Sequence, residues 1–222
     1  MYITLNEASI GTGLGAAVPP LSLWIGPGAP SVVRVETAER PMLVSLLIGG
    51  RLRPEHGRVL VDGNADLDVL RRRSALVDTP VVAEPNPGAT LASVVAEEFV
   101  FASRRASRSS VLRFLQEHDL AEYAKVPARA LPPAVRVRLL CELALLRPGV
   151  EALVLTSPER HGGEPELWYA ALEAIAERGV TVVVVTDALT ADALAGLGAR
   201  DATVEPPQPE TTDPAEPLSL EA

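Results

Sequence analysis

Cys141 is the only cysteine in this chain of 222 residues, so no internal disulfide can form. It sits in an apolar helical run, where a thiol is expected to fill core space, and a reducing, cytoplasmic setting is favoured. No uninterrupted apolar stretch reaches the roughly 18 residues that a membrane-crossing helix needs. No basic segment leading into an apolar run opens the chain. Direct membrane insertion is therefore not expected, and work at a bilayer would require something else to hold the protein there. Positive charge is also short, with 20 Lys and Arg against 29 Asp and Glu, a net charge of −9. Five of those carboxylates lie in 205–222, which holds no Lys or Arg. The mildly acidic remainder argues against a nucleic-acid partner, which needs concentrated cations to displace counterions. His56, His118 and His161 show no metal-ligand spacing, and no metal site is expected.

At 47% apolar residues the chain can bury one sizeable core. Met1–Ile10 alternates like an edge strand, and Leu21–Ile25 and Ser31–Val35 add two β-like runs that suit an antiparallel N-terminal region. Gly11–Ala16 formally matches a dinucleotide fingerprint, but Pro19 and Pro20 follow at once, where that motif needs a helix. A hairpin loop is expected there. Leu43–Gly63 reads as an apolar helix, a turn at Gly49-Gly50, a bend at Pro54–Gly57 and a strand Arg58–Asp62. Further helices are expected at Leu67–Arg73, Thr90–Ala102, Val135–Leu146, Leu167–Glu177 and Ala191–Leu197, with helical pieces at Val111–Leu115 and Leu120–Tyr123. In Thr90–Ala102 the residues Leu91, Val94, Val95, Phe99 and Val100 share roughly one face. Strands are expected at Ser74–Val77, Glu151–Leu155 and Val180–Val185. Alternation of strands and helices implies an α/β fold with parallel pairing and helices on both faces. The proline-rich acidic segment 205–222 is expected to be a disordered tail.

The Leu43–Gly63 pattern resembles the stretch that follows the phosphate-binding loop in ATP-binding cassettes of ABC transporters. Other landmarks fall in that family's order. Leu145-Leu146-Arg147-Pro148 running into Leu153–Glu159 is similar to its second half. Leu131–Arg136 lies where the signature motif would be, and Val184–Asp187 where a hydrophobic run leads to the switch histidine. The resemblance covers the chain to about Val204. It implies a P-loop NTPase-like cassette domain over 1–204, with a mostly parallel sheet flanked by helices, an N-terminal antiparallel β-subdomain and an inserted helical subdomain at about 91–129.

The residues that would carry the chemistry are replaced. The segment matching the phosphate loop, Arg34–Met42, contains no glycine. Pro41 removes an N–H, Met42 offers no hydroxyl, and Glu36 and Glu39 put negative charge where a triphosphate would sit. Those acids and Pro41 suit a helix N-terminus, which the chain itself would then cap. Arg40, in place of the lysine, and Thr37 are the residues left as vestigial nucleotide contacts, with Glu36 or Glu39 as the alternative partner of Arg40. Thr156 and Ser157 stand where two carboxylates would serve hydrolysis. Glu159, beyond Pro158, reads as a surface residue. Pro132, Pro133 and Ala134 replace the signature Ser and Gly, Asp187 replaces the switch histidine, and Thr79 lies near the Mg²⁺-sensing glutamine position.

Each lost contact is worth roughly 2–4 kcal/mol, so neither turnover nor ordinary Mg·ATP affinity is expected. The resemblance implies a pseudo-ATPase serving a membrane complex as a cytoplasmic, peripheral subunit. It implies an integral membrane protein or a competent cassette as partner, with a homo- or heterodimer among the assemblies it allows. ATP and Mg²⁺ would matter only in the alternative, a weak ATPase working with an intact partner cassette. In such cassettes the helical subdomain receives the membrane partner. Phe99, Phe101, Phe114 and Tyr123 fall there, as docking patch or as subdomain core.

Overall fold

A computed structural model describes residues 1–36 and 40–205. Thr37, Ala38, Glu39 and the segment 206–222 lie outside the described residues. The expectations for Thr37, for Glu39 and for nearly all of the tail therefore fall outside them.

Three strands, β1 (Ile3–Ile10), β2 (Val18–Ile25) and β4 (His56–Val61), form an antiparallel sheet in the order β2-β1-β4. The opening strand is thus central, not an edge as its alternation suggested. Alternation reports which faces are buried, and says nothing of how many neighbours a strand has along the hydrogen-bonding direction. The Gly11–Ala16 segment is the hairpin loop between β1 and β2, with a short 3-10 turn at Gly13–Gly15. Gly57 (φ 76°) passes so close to β1 that a Cβ there would lie 2.2 Å from the Glu7 carbonyl oxygen, so only glycine fits.

The second sheet is parallel and has five strands in the order β5-β6-β7-β3-β8. These are β3 (Ser31–Arg34), β5 (Ser74–Val77), β6 (Ala152–Thr156), β7 (Thr181–Thr186) and β8 (Arg200–Asp201). Ser31–Arg34, expected in the antiparallel region, belongs to this sheet beside β7. Its residues Val32 and Val33 are buried on both faces, which is how a central parallel strand reads.

The parallel sheet divides the interior in two. Val182, Val184, Leu153 and Leu155 face one core, and Val183, Val185, Ala152 and Val154 the other, following the two-residue strand period. On the second side lie the antiparallel sheet and α1 (Arg40–Ile48), whose Val44, Leu47 and Ile48 are buried. Its end is a Schellman turn, with Gly50 at φ 70° and bonds from Arg51 N to Leu46 O (2.8 Å) and Gly50 N to Leu47 O (3.0 Å). Helix α2 (Leu67–Arg73) follows β4, capped by Asp66. The first core takes α5 (Pro133–Leu145), α6 (Pro165–Ala176), α7 (Ala188–Gly196) and the insertion between β5 and β6. That insertion carries α3 (Leu91–Phe101), capped by Thr90, and α4 (Arg108–Glu117), capped by Ser107. Leu91, Val94, Val95 and Phe99 point inward as expected, whereas Val100 is 64% exposed: at 100° per residue it lies just past the buried stripe.

Candidate functional site

The C-terminal ends of the parallel strands meet α1, and side chains from three segments come together there. Thr156, the last residue of β6, donates a hydrogen bond from Oγ1 to Ser45 Oγ of α1 (2.7 Å). Its oxygen lies 2.8 Å from Thr79 Oγ1, just beyond β5. All three hydroxyls are buried. Thr156 and Thr79 were marked from the sequence; Ser45 was missed, since nothing in a helix full of leucines singles out one serine. The three oxygens satisfy one another, and no anionic oxygen is among them. Next in the chain, Ser157 adopts a left-handed conformation (φ 46°, ψ 57°), and its N–H bonds to Val185 O (2.8 Å).

A second cluster lies beside the first. Asp78, also left-handed at φ 53°, receives two hydrogen bonds from Arg136 of α5: Nε to Oδ2 at 2.8 Å and Nη2 to Oδ1 at 2.7 Å. Both residues are buried. Arg160 Nη2 lies 3.0 Å from Asp78 Oδ1, and its Nη1 donates to Thr156 O at 2.6 Å. His161 Nε2 is 2.9 Å from Asp78 Oδ2 without the alignment of a hydrogen bond. His161 thus has a charged neighbour that the sequence reading did not give it. Burial alone would raise the Asp78 carboxyl, but the nearby imidazole and the Arg136 and Arg160 guanidinium groups outweigh it. They hold it well below the ordinary carboxylate range. Glu159 is half-buried, with Oε2 shielded from solvent, and is not the surface residue expected. It lies in the 3-10 turn Pro158–His161.

The phosphate-loop region is described only in part. Val35 N bonds to Thr186 O (2.9 Å), extending the β3–β7 ladder, and Arg34 pairs with Asp192 of α7. Arg40 Nη1 lies 3.8 Å from Glu36 Oε2, four positions earlier in the sequence, a loose pair of small energetic weight. Pro41 occupies the first turn of α1. Asp187, at the switch position, is exposed and caps α7 by accepting from Thr190 N (2.8 Å). Pro133 opens α5 as its first residue. The described residues hold no group of His, Cys, Asp and Glu that could bind a metal, and the strand-end oxygens are neutral and mutually bonded. Cys141 is fully buried, and burial raises its thiol far above the usual range, so the core-filling reading holds.

The aromatic trio separates. Phe99 and Phe114 are buried, their rings edge to face at 5.5 Å, so both belong to the core and neither can meet a partner. Phe101 is 57% exposed and lies under the Arg147 guanidinium, 5.3 Å from its ring centroid. Arg147 is itself fixed by Glu98 at 2.7 Å. Phe101 borders a hollow of about 410 Å³ with Val82, Glu84, Val94, Glu97 and Leu140. Tyr123 is half-exposed.

No known family profile matches the chain, and no curated protein does. Solved structures do match in fold. A dimeric bacterial ABC transporter cassette, MJ0796, is 22% identical with a TM-score of 0.63, over 86% of this chain and 90% of that one. A nucleotide-free ATP-binding cassette from an ABC transporter is 15% identical with a TM-score of 0.61, over 85% and 83%. The cbiO1 protein of Clostridium perfringens, part of the ABC transporter complex cbiONQ, is 17% identical with a TM-score of 0.59, over 83% and 78%. Two sheets, an insertion between β5 and β6, and this order of landmarks give the chain the fold of an ABC transporter ATP-binding cassette.

Proposed function

We propose that this chain is a catalytically silent cassette, a pseudo-ATPase that serves a membrane transporter-like complex as a structural or regulatory subunit. The observation that carries this reading is the closed hydroxyl chain Ser45–Thr156–Thr79 at the end of β6. Phosphoryl transfer is catalysed almost wholly by positioning and by charge aimed at the phosphates and their metal. Three neutral hydroxyls bonded to each other supply no such charge. Arg40 beside Glu36 and Asp187 turned to a helix cap add to the same reading.

The partner side rests on the fold and on surface. One matched protein belongs to a cbiONQ transporter complex and another forms a dimer, and a comparable assembly is the natural role for this chain. No helix among the described residues is long and apolar enough to cross a membrane, and the partner in this reading is an integral membrane protein. The hollow beside Phe101, with exposed Val82 in its lining, suits a short amphipathic helix of that partner.

Calorimetric titration of the purified chain with ATP, with and without Mg²⁺, is expected to show no binding up to millimolar nucleotide. Micromolar Mg-dependent affinity would overturn the silent-cassette reading and favour a weak ATPase acting through Arg40. Pull-down from native membranes is expected to recover an integral membrane protein, in a manner weakened by Phe101→Ser.

A further inference from the structure

We propose that the end of the helical insertion, from Val100 to Arg113, docks directly on an anionic lipid surface. This goes beyond the subunit reading and does not depend on it. Between Phe99 and Gln116 the chain has four arginines, Arg104, Arg105, Arg108 and Arg113, and no Asp or Glu, although its net charge is −9. All four are exposed. Among the described residues none has a carboxylate within ion-pair distance, whereas eight arginines elsewhere are paired.

The loop is held by backbone and serine hydrogen bonds, which leaves the guanidinium groups unused. Ser103 takes a left-handed conformation (φ 55°) and closes α3 with a Schellman turn, Arg104 N to Phe99 O at 2.7 Å and Ser103 N to Val100 O at 3.0 Å. Ser110 Oγ then donates to Arg105 O (2.7 Å), and Ser107 Oγ accepts from Ser110 N (3.2 Å) to start α4. A rigid cationic corner results. Beside it stand exposed apolar residues: Val100 at 64%, Phe101 at 57% and Leu112 at 40%. Leu112 and Arg108 also border a groove of about 670 Å³ with Lys125, the chain's only lysine.

Cations beside exposed aliphatic side chains suit the boundary between headgroups and acyl chains. A single-stranded nucleic acid would want open aromatic faces, but Phe99 and Phe114 are buried and Arg147 covers one face of Phe101. The acidic body does not cancel the attraction, since charges beyond about 8 Å are screened at physiological salt.

The test is co-sedimentation of the full chain with vesicles of phosphatidylcholine alone, or with about one-third phosphatidylglycerol. Binding is expected only to the anionic vesicles and is expected to vanish at about 0.5 M salt. Each arginine near the surface contributes about fivefold, so replacing Arg104, Arg105, Arg108 and Arg113 by Ser should weaken binding on the order of 10²-fold or more. The charge-matched control replaces Arg53, Arg58, Arg72 and Arg138 by Ser, all exposed and far along the chain from this loop, and should bind as the parent does. Val100→Ser with Phe101→Ser should cost a smaller factor that salt does not alter. Circular dichroism should show both quadruple variants folded. Equal binding to neutral vesicles, no binding to anionic ones, or an equal loss in the control would overturn the proposal. So would displacement from vesicles by a single-stranded RNA oligomer, which would make the corner a nucleic-acid surface.

Discussion

Arg136 grips Asp78 through two parallel hydrogen bonds of 2.8 and 2.7 Å, with both side chains shut away from solvent. The pair fastens the first turn of α5 to the segment where the chain leaves the parallel sheet for the helical insertion. Breaking a buried pair from one side strands the other charge. Arg136→Ala should therefore lower unfolding free energy by about 3–5 kcal/mol, read from urea titrations. Arg136→Met in an Asp78→Asn background should be much milder. Equal losses in the two variants would mean that packing, and not charge, fixes this corner.

The same pair makes stability depend on acidity. The Asp78 carboxyl is held below its ordinary range in the fold, so the unfolded chain takes up a proton first as pH falls. Its contribution is complete above the unfolded value of about 3.9 and is lost progressively as pH drops from there toward the lower folded value. Urea midpoints measured downward from neutrality should decline below about pH 4. Part of that decline should disappear in Asp78→Asn.

Thr156 sits between two other hydroxyls, and removing it leaves both without a partner. Thr156→Val should cost about 1–3 kcal/mol despite its near-identical shape. Thr156→Asp should cost more and yield no ATPase activity, because it buries an anion against two neutral hydroxyls while the nearby Arg160 guanidinium is already paired with Asp78. Turnover by the Thr156→Asp variant, followed as phosphate release, would show that the site is only one residue short of function.

Phe99 and Phe101 are two positions apart and should behave oppositely. Phe99→Ala empties core space against Phe114 and should cost about 3–5 kcal/mol. Phe101→Ala should change stability by about 0.5 kcal/mol or less, its effect appearing in membrane-partner recovery instead.

Gly57 offers a backbone test. Ala there would need both a φ of 76° and a Cβ 2.2 Å from the Glu7 carbonyl, so β1 and β4 would have to part. A loss above about 2 kcal/mol is expected from thermal or urea unfolding of Gly57→Ala.

Several features of the protein were settled by residue order alone. The two-residue and 3.6-residue apolar periods located the helices and every strand but the short β8 to within a few positions, because those periods are imposed by backbone geometry. The residue types on which the proposed silent-cassette reading rests, Arg40, Pro41, Met42, Thr156 and Asp187, were equally legible. What the strand ends assemble was not. Ser45 and Thr156 are 111 positions apart, Thr79 and Thr156 77, and Arg136 and Asp78 58. No local pattern encodes such meetings; they arise when a parallel sheet brings distant strand ends to one edge. For the same reason β1 proved central, and Phe99 and Phe101 parted between core and surface. Burial and pairing are properties of neighbours, and only the packed chain supplies neighbours.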